Sequence, residues 1–169
     1  RVEDLIRQVK PDYLMLNGDI LDFPDLSKFI QRPAYKKTPQ DAIEWGRNRL
    51  RVWGQSAKHI YWIDGNHEQR WYQYIWENAP DLDFAINDLD VVLDLPNLAS
   101  GYVPYGRHVD FLGFVFTHGE RVGLYSPRQN LEAYHSSGVS GHTHRMKSWS
   151  KTDKHGRTHS WYEQGCLCL

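Results

Sequence analysis

The stretch Trp62-Ile63-Asp64-Gly65-Asn66-His67-Glu68 decides the fold. The apolar run from His59 to Ile63 predicts a strand, and Asp64-Gly65 predicts the turn that ends it. That turn sets down an amide oxygen, on Asn66, beside the imidazole of His67. Strand, glycine turn and then polar residues is how α/β proteins place chemistry at the carboxyl ends of their strands. Working outward, the pattern recurs three times. Leu14-Met15-Leu16-Asn17 runs into Gly18-Asp19-Ile20-Leu21-Asp22. Phe114-Val115-Phe116 runs into Thr117-His118-Gly119, and Val139-Ser140 into Gly141-His142-Thr143-His144. Four strand ends thus deliver an aspartate, an asparagine, a histidine and a histidine pair, which are the donors of a metal site.

The flanking segments read as the helices and hairpins of an α/β chain. Val2, Leu5, Ile6 and Val9 repeat at helical spacing, so residues 2–9 predict an amphipathic helix ended by Pro11. A strand follows at 13–17. Helix then strand is the second half of a βαβ unit, so the chain reads as starting inside a fold. Residues 23–37 read as loop. Thr38-Pro39 supplies an N-cap and a first-turn proline for a helix running to about Ala57, with Ile43, Leu50 and Trp53 on one face. A second helix carries Trp71, Tyr72, Tyr74 and Trp76 and stops near Pro80. These aromatics could stack on a nucleobase, although aromatic positions on a helix more commonly face a core. Residues 81–107 are acidic and then punctuated by proline and glycine, with a short strand expected around Asp90–Leu93. A hairpin turning at Leu112-Gly113 is expected over 108–117, a helix opening at Ser126-Pro127, and a last hairpin of 146–152 and 158–165 around Asp153-Lys154-His155-Gly156.

Composition narrows the function classes. At 169 residues the chain suits one domain, given roughly 100–200 residues per domain. A net charge of -1 gives no polyelectrolyte footprint for wholesale binding to nucleic acid or membranes. No apolar run has the length of a membrane span. Cys166 and Cys168 are too close for a disulfide and wrongly spaced for a zinc knuckle, so they read as buried thiols in a terminal strand. Cysteine usage of this kind points to a reducing, cytoplasmic setting.

Each polar motif has an ordinary explanation when taken alone. Asp19 could cap a helix, Asn66-His67 and His142-Thr143-His144 could be polar turns. Their conjunction, in order, at four strand ends is harder to explain that way. Mixed nitrogen and oxygen ligation without thiolate suits Mn, Fe, Zn or Ni and disfavours a structural zinc cage. Two such ions about 3.5–4 Å apart would activate a hydroxide and clamp both oxygens of an in-line phosphoryl displacement.

The motifs Gly18-Asp19-x-x-Asp22, Gly65-Asn66-His67-Glu68, His118-Gly119 and Gly141-His142-Thr143-His144 resemble, in that order, the calcineurin-like metallophosphoesterase superfamily. The resemblance spans essentially the whole chain, and Gly65-Asn66-His67-Glu68 followed by Arg70 resembles compact bacterial or phage-type members. It implies an α/β fold in which two mixed β-sheets pack as a sandwich flanked by helices. It implies two divalent metal ions, manganese favoured, and hydrolysis of phosphomonoesters or phosphodiesters, with a nucleotide or nucleic acid as a conceivable substrate. Carried over by position, Asp19 bridges the two ions, Asn66, His118 and His142 complete one of them, and His144 belongs to the other. His67 is the general acid or transition-state stabiliser. Asp22 would stand behind the ligands, and Glu68 and Arg70 would orient His67, touch phosphate or simply carry surface charge.

The family's opening Asp-x-His is not found ahead of Arg1, so the expectation is a single phosphoesterase domain over 1–169 that lacks its first strand. Asp153-Lys154-His155 has the spacing but sits in a hairpin turn and in the wrong order. The competing reading is a non-catalytic scaffold that keeps the fold for protein contacts. A scaffold has no need of His67 or the histidine pair, and this chain keeps all three.

Overall fold

The computed structural model describes residues 2–28 and 38–167. Its frame is two sheets that meet along one seam, and the predicted punctuation marks most of their strands. Helix α1 (Val2–Val9) carries Glu3 and Asp4 in its first turn and Arg7 in its last, and buries Ile6. Both charge placements suit the helix dipole. Lys10 then turns into the left-handed region at φ 47° and Pro11 prevents continuation.

Strand β1 (Tyr13–Asn17) pairs in parallel with β2 (His59–Ile63), and β2 pairs in parallel with β3 (Gly101–Val103). Between them α2 (Pro39–Gly54) starts on a capping box, in which Thr38 and Asp41 each satisfy the other's backbone N–H. Its buried stripe of Ile43, Gly46, Leu50 and Trp53 has helical spacing and packs on the sheet. Gly46 lets α2 pack closely here, because a Cβ would lie 2.9 Å from Leu21 Cδ2 and that side chain would have to shift. Residues 29–37 of the expected loop lie outside the described residues. Helix α3 (Gln69–Asn78) sets Trp71 and Tyr72 against the core, while Tyr74 and Trp76 are exposed.

The strand expected at Asp90–Leu93 is instead a helical turn, α4 (Leu89–Val92), followed through left-handed Asp94 (φ 61°) by α5 (Leu95–Leu98). Leu89 and Leu93 are fully buried while Val91 is exposed. That is spacing of four along a helix, and the β-branched pair Val91-Val92 is overridden by the core that its neighbours fill. The strand of this region is β3, beginning at Gly101, where a Cβ would strike the Tyr61 ring at 2.7 Å.

The second sheet is mixed, in the order β4-β5-β6-β8-β7. Hairpin β4 (His108–Phe111) and β5 (Phe114–Thr117) turns on Leu112 (φ 50°) and Gly113 (φ 79°), the two left-handed residues of a tight hairpin. Helix α6 (Ser126–Tyr134) then crosses to β6 (Ser137–Ser140), parallel to β5. Strand β7 (Lys147–Thr152) returns antiparallel to β8 (Thr158–Glu163), and β8 lies parallel to β6. In their turn Asp153 Oδ1 accepts the N–H of His155 (2.8 Å) and of Arg157 (3.0 Å), so Asp153 closes a loop there. The core of this sheet is Trp161, stacked on Tyr134 at 5.2 Å and lying over Gly138.

Cys166 corrects the expectation of buried thiols in a terminal strand. It is exposed and lies beyond Glu163, where β8 ends and pairing to β6 stops. Cys168 lies outside the described residues. Among those residues no helix is long and apolar enough to cross a membrane. The two sheets meet where Phe111 packs on Tyr13 (4.6 Å between centroids) and Tyr61 (5.7 Å). At the other end of the seam the His118 ring reaches the Asn17 carbonyl, so the carboxyl ends of β1 and β5 also meet.

Candidate metal centre

Four strands deliver donors to this junction, β1 and β2 from one sheet and β5 and β6 from the other. The turn after β1 begins with Asn17, whose carbonyl accepts a hydrogen bond from His118 Nδ1 at 2.9 Å. A carbonyl can only accept, so Nδ1 carries the proton and the neutral ring leaves a lone pair on Nε2. Burial pushes the His118 pKa below the ordinary imidazole value, against the opposing charge of Asp19. The ring is therefore neutral near pH 7 and a good ligand.

Three polar atoms face that lone pair. Asn66 Oδ1 lies 3.0 Å from His118 Nε2, His142 Nδ1 lies 3.1 Å away, and Asp19 Oδ2 lies 3.4 Å away. Asn66 Oδ1 is also 2.6 Å from His142 Nδ1. Burial and the nearby His118 lower the His142 pKa as well. One carboxylate oxygen, one amide oxygen and two imidazole nitrogens thus point at each other with at most one proton, on His142, to share. Donor atoms of Asp19, His118 and His142 all lie within 4.8 Å of one another. A borderline divalent cation fits this donor set, because it would satisfy four lone pairs that the protein leaves facing one another.

The backbone that allows this approach is unusual in two ways. Gly18 has φ 86°, and a Cβ on it would lie 2.2 Å from His118 Nδ1. A Cβ on Gly65 would lie 2.2 Å from Asp19 Oδ1. Only glycine lets the two turns and the His118 ring come this close. Asp19, His142 and His144 hold φ of 54°, 65° and 55°, a strained region for residues with side chains. Such strain gathers where surrounding structure over-determines the backbone.

Of the residues predicted from sequence, Asp19, Asn66, His118 and His142 are brought together. His144 is exposed and its donors lie outside the cluster, although its charge would be felt by His67, His118 and His142. His67 also stands apart, with Nδ1 3.3 Å from Asp22 Oδ1. Arg70 Nη1 reaches the same Asp22 oxygen at 2.6 Å, so Asp22 links the two side chains. Burial lowers the His67 pKa, Asp19 and Asp22 pull it back up, and Arg70 lowers it further.

One acid behaves otherwise than the sequence suggests. Glu68 neither touches His67 nor lies on the surface. It is fully buried and accepts three backbone N–H groups, from Asp19 (2.9 Å), Leu21 (2.7 Å) and Gly65 (2.8 Å). Burial raises its pKa, while the three N–H donors that converge on its two oxygens favour the ionised form. Asp64 is equally hidden, accepting from Trp62 Nε1 (2.9 Å) and the Tyr102 hydroxyl (2.6 Å), with burial raising its pKa to about 6. Tyr105, whose ring centroid lies 6.4 Å from that of His118, is a further neighbour that no motif announces.

The chain matches the family model described as calcineurin-like phosphoesterase over residues 1–164. A comparison with curated protein sequences returns no match. The family depends on divalent metal ions, and the convergent donors of Asp19, His118 and His142 are where this chain can hold one. The match covers nearly the whole sequence and agrees with a two-sheet α/β architecture flanked by helices, so the chain belongs to the calcineurin-like phosphoesterase family, whose general function is metal-dependent phosphate-ester hydrolysis.

Proposed function

We propose that this chain is a single phosphoesterase domain that hydrolyses phosphomonoesters or phosphodiesters, with Asp19, Asn66, His118 and His142 as ligands of one divalent ion. The observation that carries the reading is the set of four lone-pair donors facing one another around His118 Nε2. Asp19 and His144 would contribute ligands to a second ion. Manganese is the ion we would test first, since an oxygen and imidazole set without thiolate suits it. Divalent ions held there supply Lewis acidity that polarises a phosphoryl oxygen and activates water.

The remaining work falls to the protein's own side chains. The Asn17 carbonyl fixes the His118 tautomer, so Nε2 never presents a proton to the site. Asp22 lies against Nδ1 of His67 and favours the doubly protonated ring, whose Nε2–H can then pass its proton to the departing oxygen and leave the ring neutral. Arg70, held on the same Asp22 oxygen, keeps a positive charge beside that ring. Trp71 and Tyr72 pack against the core, which leaves Tyr74 and Trp76 as the aromatics of α3 that could meet a nucleotide.

The test is metal stoichiometry joined to turnover. The purified chain is loaded with manganese, desalted and measured by elemental analysis, alongside His142→Ala, and both are assayed on an aryl phosphodiester. Retention of about one or more ions by the parent and their loss in the variant supports the reading. Failure of the parent to retain any manganese rejects it and favours a scaffold.

A further inference from the structure

The two turns that carry Asp19 and Asn66 come from different strands and need a brace between them. Asp19 sits in the left-handed region at φ 54°, a conformation that a residue with a side chain keeps only if something holds it. Gly65 is packed so tightly against it that no Cβ fits between them. One side chain spans both turns. Glu68 Oε2 accepts from Asp19 N at 2.9 Å and Gly65 N at 2.8 Å, and Oε1 accepts from Leu21 N at 2.7 Å. A second carboxylate returns the brace, for Asp19 Oδ1 accepts from His67 N at 3.0 Å. The Asp19 turn is thereby bonded to the Asn66 turn in both directions.

On the reading that these donors hold a divalent ion, we propose that Glu68 is the positioning residue that sets the spacing between Asp19 and Asn66. It touches none of the imidazoles in these bonds and acts through backbone N–H groups alone. The chemistry requires a carboxylate. It offers acceptors only, so three N–H donors can converge on it without conflict. Glutamine would aim an NH2 group at N–H donors and lose at least one of the three bonds. Aspartate would keep the charge but fall short of the turns by one methylene.

The experiment compares Glu68→Gln with Leu50→Ala, a core variant on α2 that lowers stability elsewhere in the molecule. Both are purified, confirmed folded by circular dichroism and titrated with manganese by calorimetry. Glu68→Gln is expected to raise the manganese Kd by roughly 10–100-fold, the usual effect of losing a group that orients ligands. Leu50→Ala is expected to bind like the parent. A Glu68→Gln Kd within about twofold of the parent overturns the proposal, given that expected range. Should the glutamine variant fail to fold, Glu68→Asp replaces it under the same two criteria. If the parent itself binds no manganese, the functional reading fails separately, and the brace is read in the metal-free protein by amide exchange. Faster exchange at Asp19, Leu21 and Gly65 in Glu68→Gln than in Leu50→Ala then sustains the positioning role, and equal exchange overturns it.

Discussion

Replacing Gly18 with alanine tests whether the site depends on the close approach of backbone to His118. Two penalties coincide at this position. The φ of 86° costs a residue with a Cβ about 1–2 kcal/mol. The Cβ would also fall 2.2 Å from His118 Nδ1, 2.7 Å from its Cγ and 2.9 Å from the Gly65 Cα, contacts that force a shift. Overpacking of this kind costs about 1–3 kcal/mol, so the total is about 2–5 kcal/mol. Gly113 separates the two terms. It has φ 79° and open space around its missing Cβ, so Gly113→Ala reports strain alone. Urea unfolding of the three proteins gives the stability differences, provided the slope stays constant. Because His118 must move, its 2.9 Å bond to the Asn17 carbonyl is also lost in Gly18→Ala, and manganese affinity should fall by roughly 10–100-fold. Gly113→Ala should bind normally. The reasoning is refuted if Gly18→Ala is no less stable than Gly113→Ala and keeps the parent's affinity.

Three further outcomes follow from other parts of the molecule. His67→Ala should lower kcat on an aryl phosphodiester by roughly 10²–10⁴ while elemental analysis finds the parent's manganese content, since its ring stands outside the donor cluster. Thr38→Ala removes one half of the capping box that starts α2 and should cost about 0.5–2 kcal/mol in urea unfolding. Asp153 has its pKa lowered, first by the Arg157 N–H and then by the His155 N–H. A carboxylate whose folded pKa is depressed stabilises above its unfolded value and ceases to do so as pH falls through the folded one. The stability advantage of the parent over Asp153→Asn should therefore be present at pH 6, start to fall only below about pH 4 and vanish at lower pH still, as thermal melts carried well below pH 4 would register.

Much of the fold was legible because its signals are local. The turns at Gly18, Gly65, Leu112-Gly113 and Gly141 each end or reverse an apolar run, and β1 and β2 begin and end where the residues change character. The convergence of Asp19, Asn66, His118 and His142 followed from four strand ends of similar form. The strand predicted at Asp90–Leu93 failed because the burial of Leu89 and Leu93 depends on a core built from distant segments. Glu68 was misjudged for a related reason. A glutamate after Asn66-His67 looks the same in sequence whether it meets solvent or three backbone N–H groups. Which turns approach closely enough to need such a brace is a property of two strands lying side by side. The same holds for the Asn17 carbonyl, whose part in the site is played by the main chain and leaves no trace in residue type.

The seam between the sheets has a consequence for how the protein matures. The bond from His118 to the Asn17 carbonyl joins residues 101 apart in the chain, and that between His142 and Asn66 joins residues 76 apart. Neither sheet alone carries the complete donor set, so each could form its strands and still have no affinity for an ion. Contacts of such long range are slow to form, because loop closure precedes any gain from them. An ion captured by all four donors would therefore report the docked state of the two sheets, and a ligand that binds only that state stabilises it by mass action. The ion would act as a rivet across the seam, and its removal should first be felt as the two sheets breathing against each other.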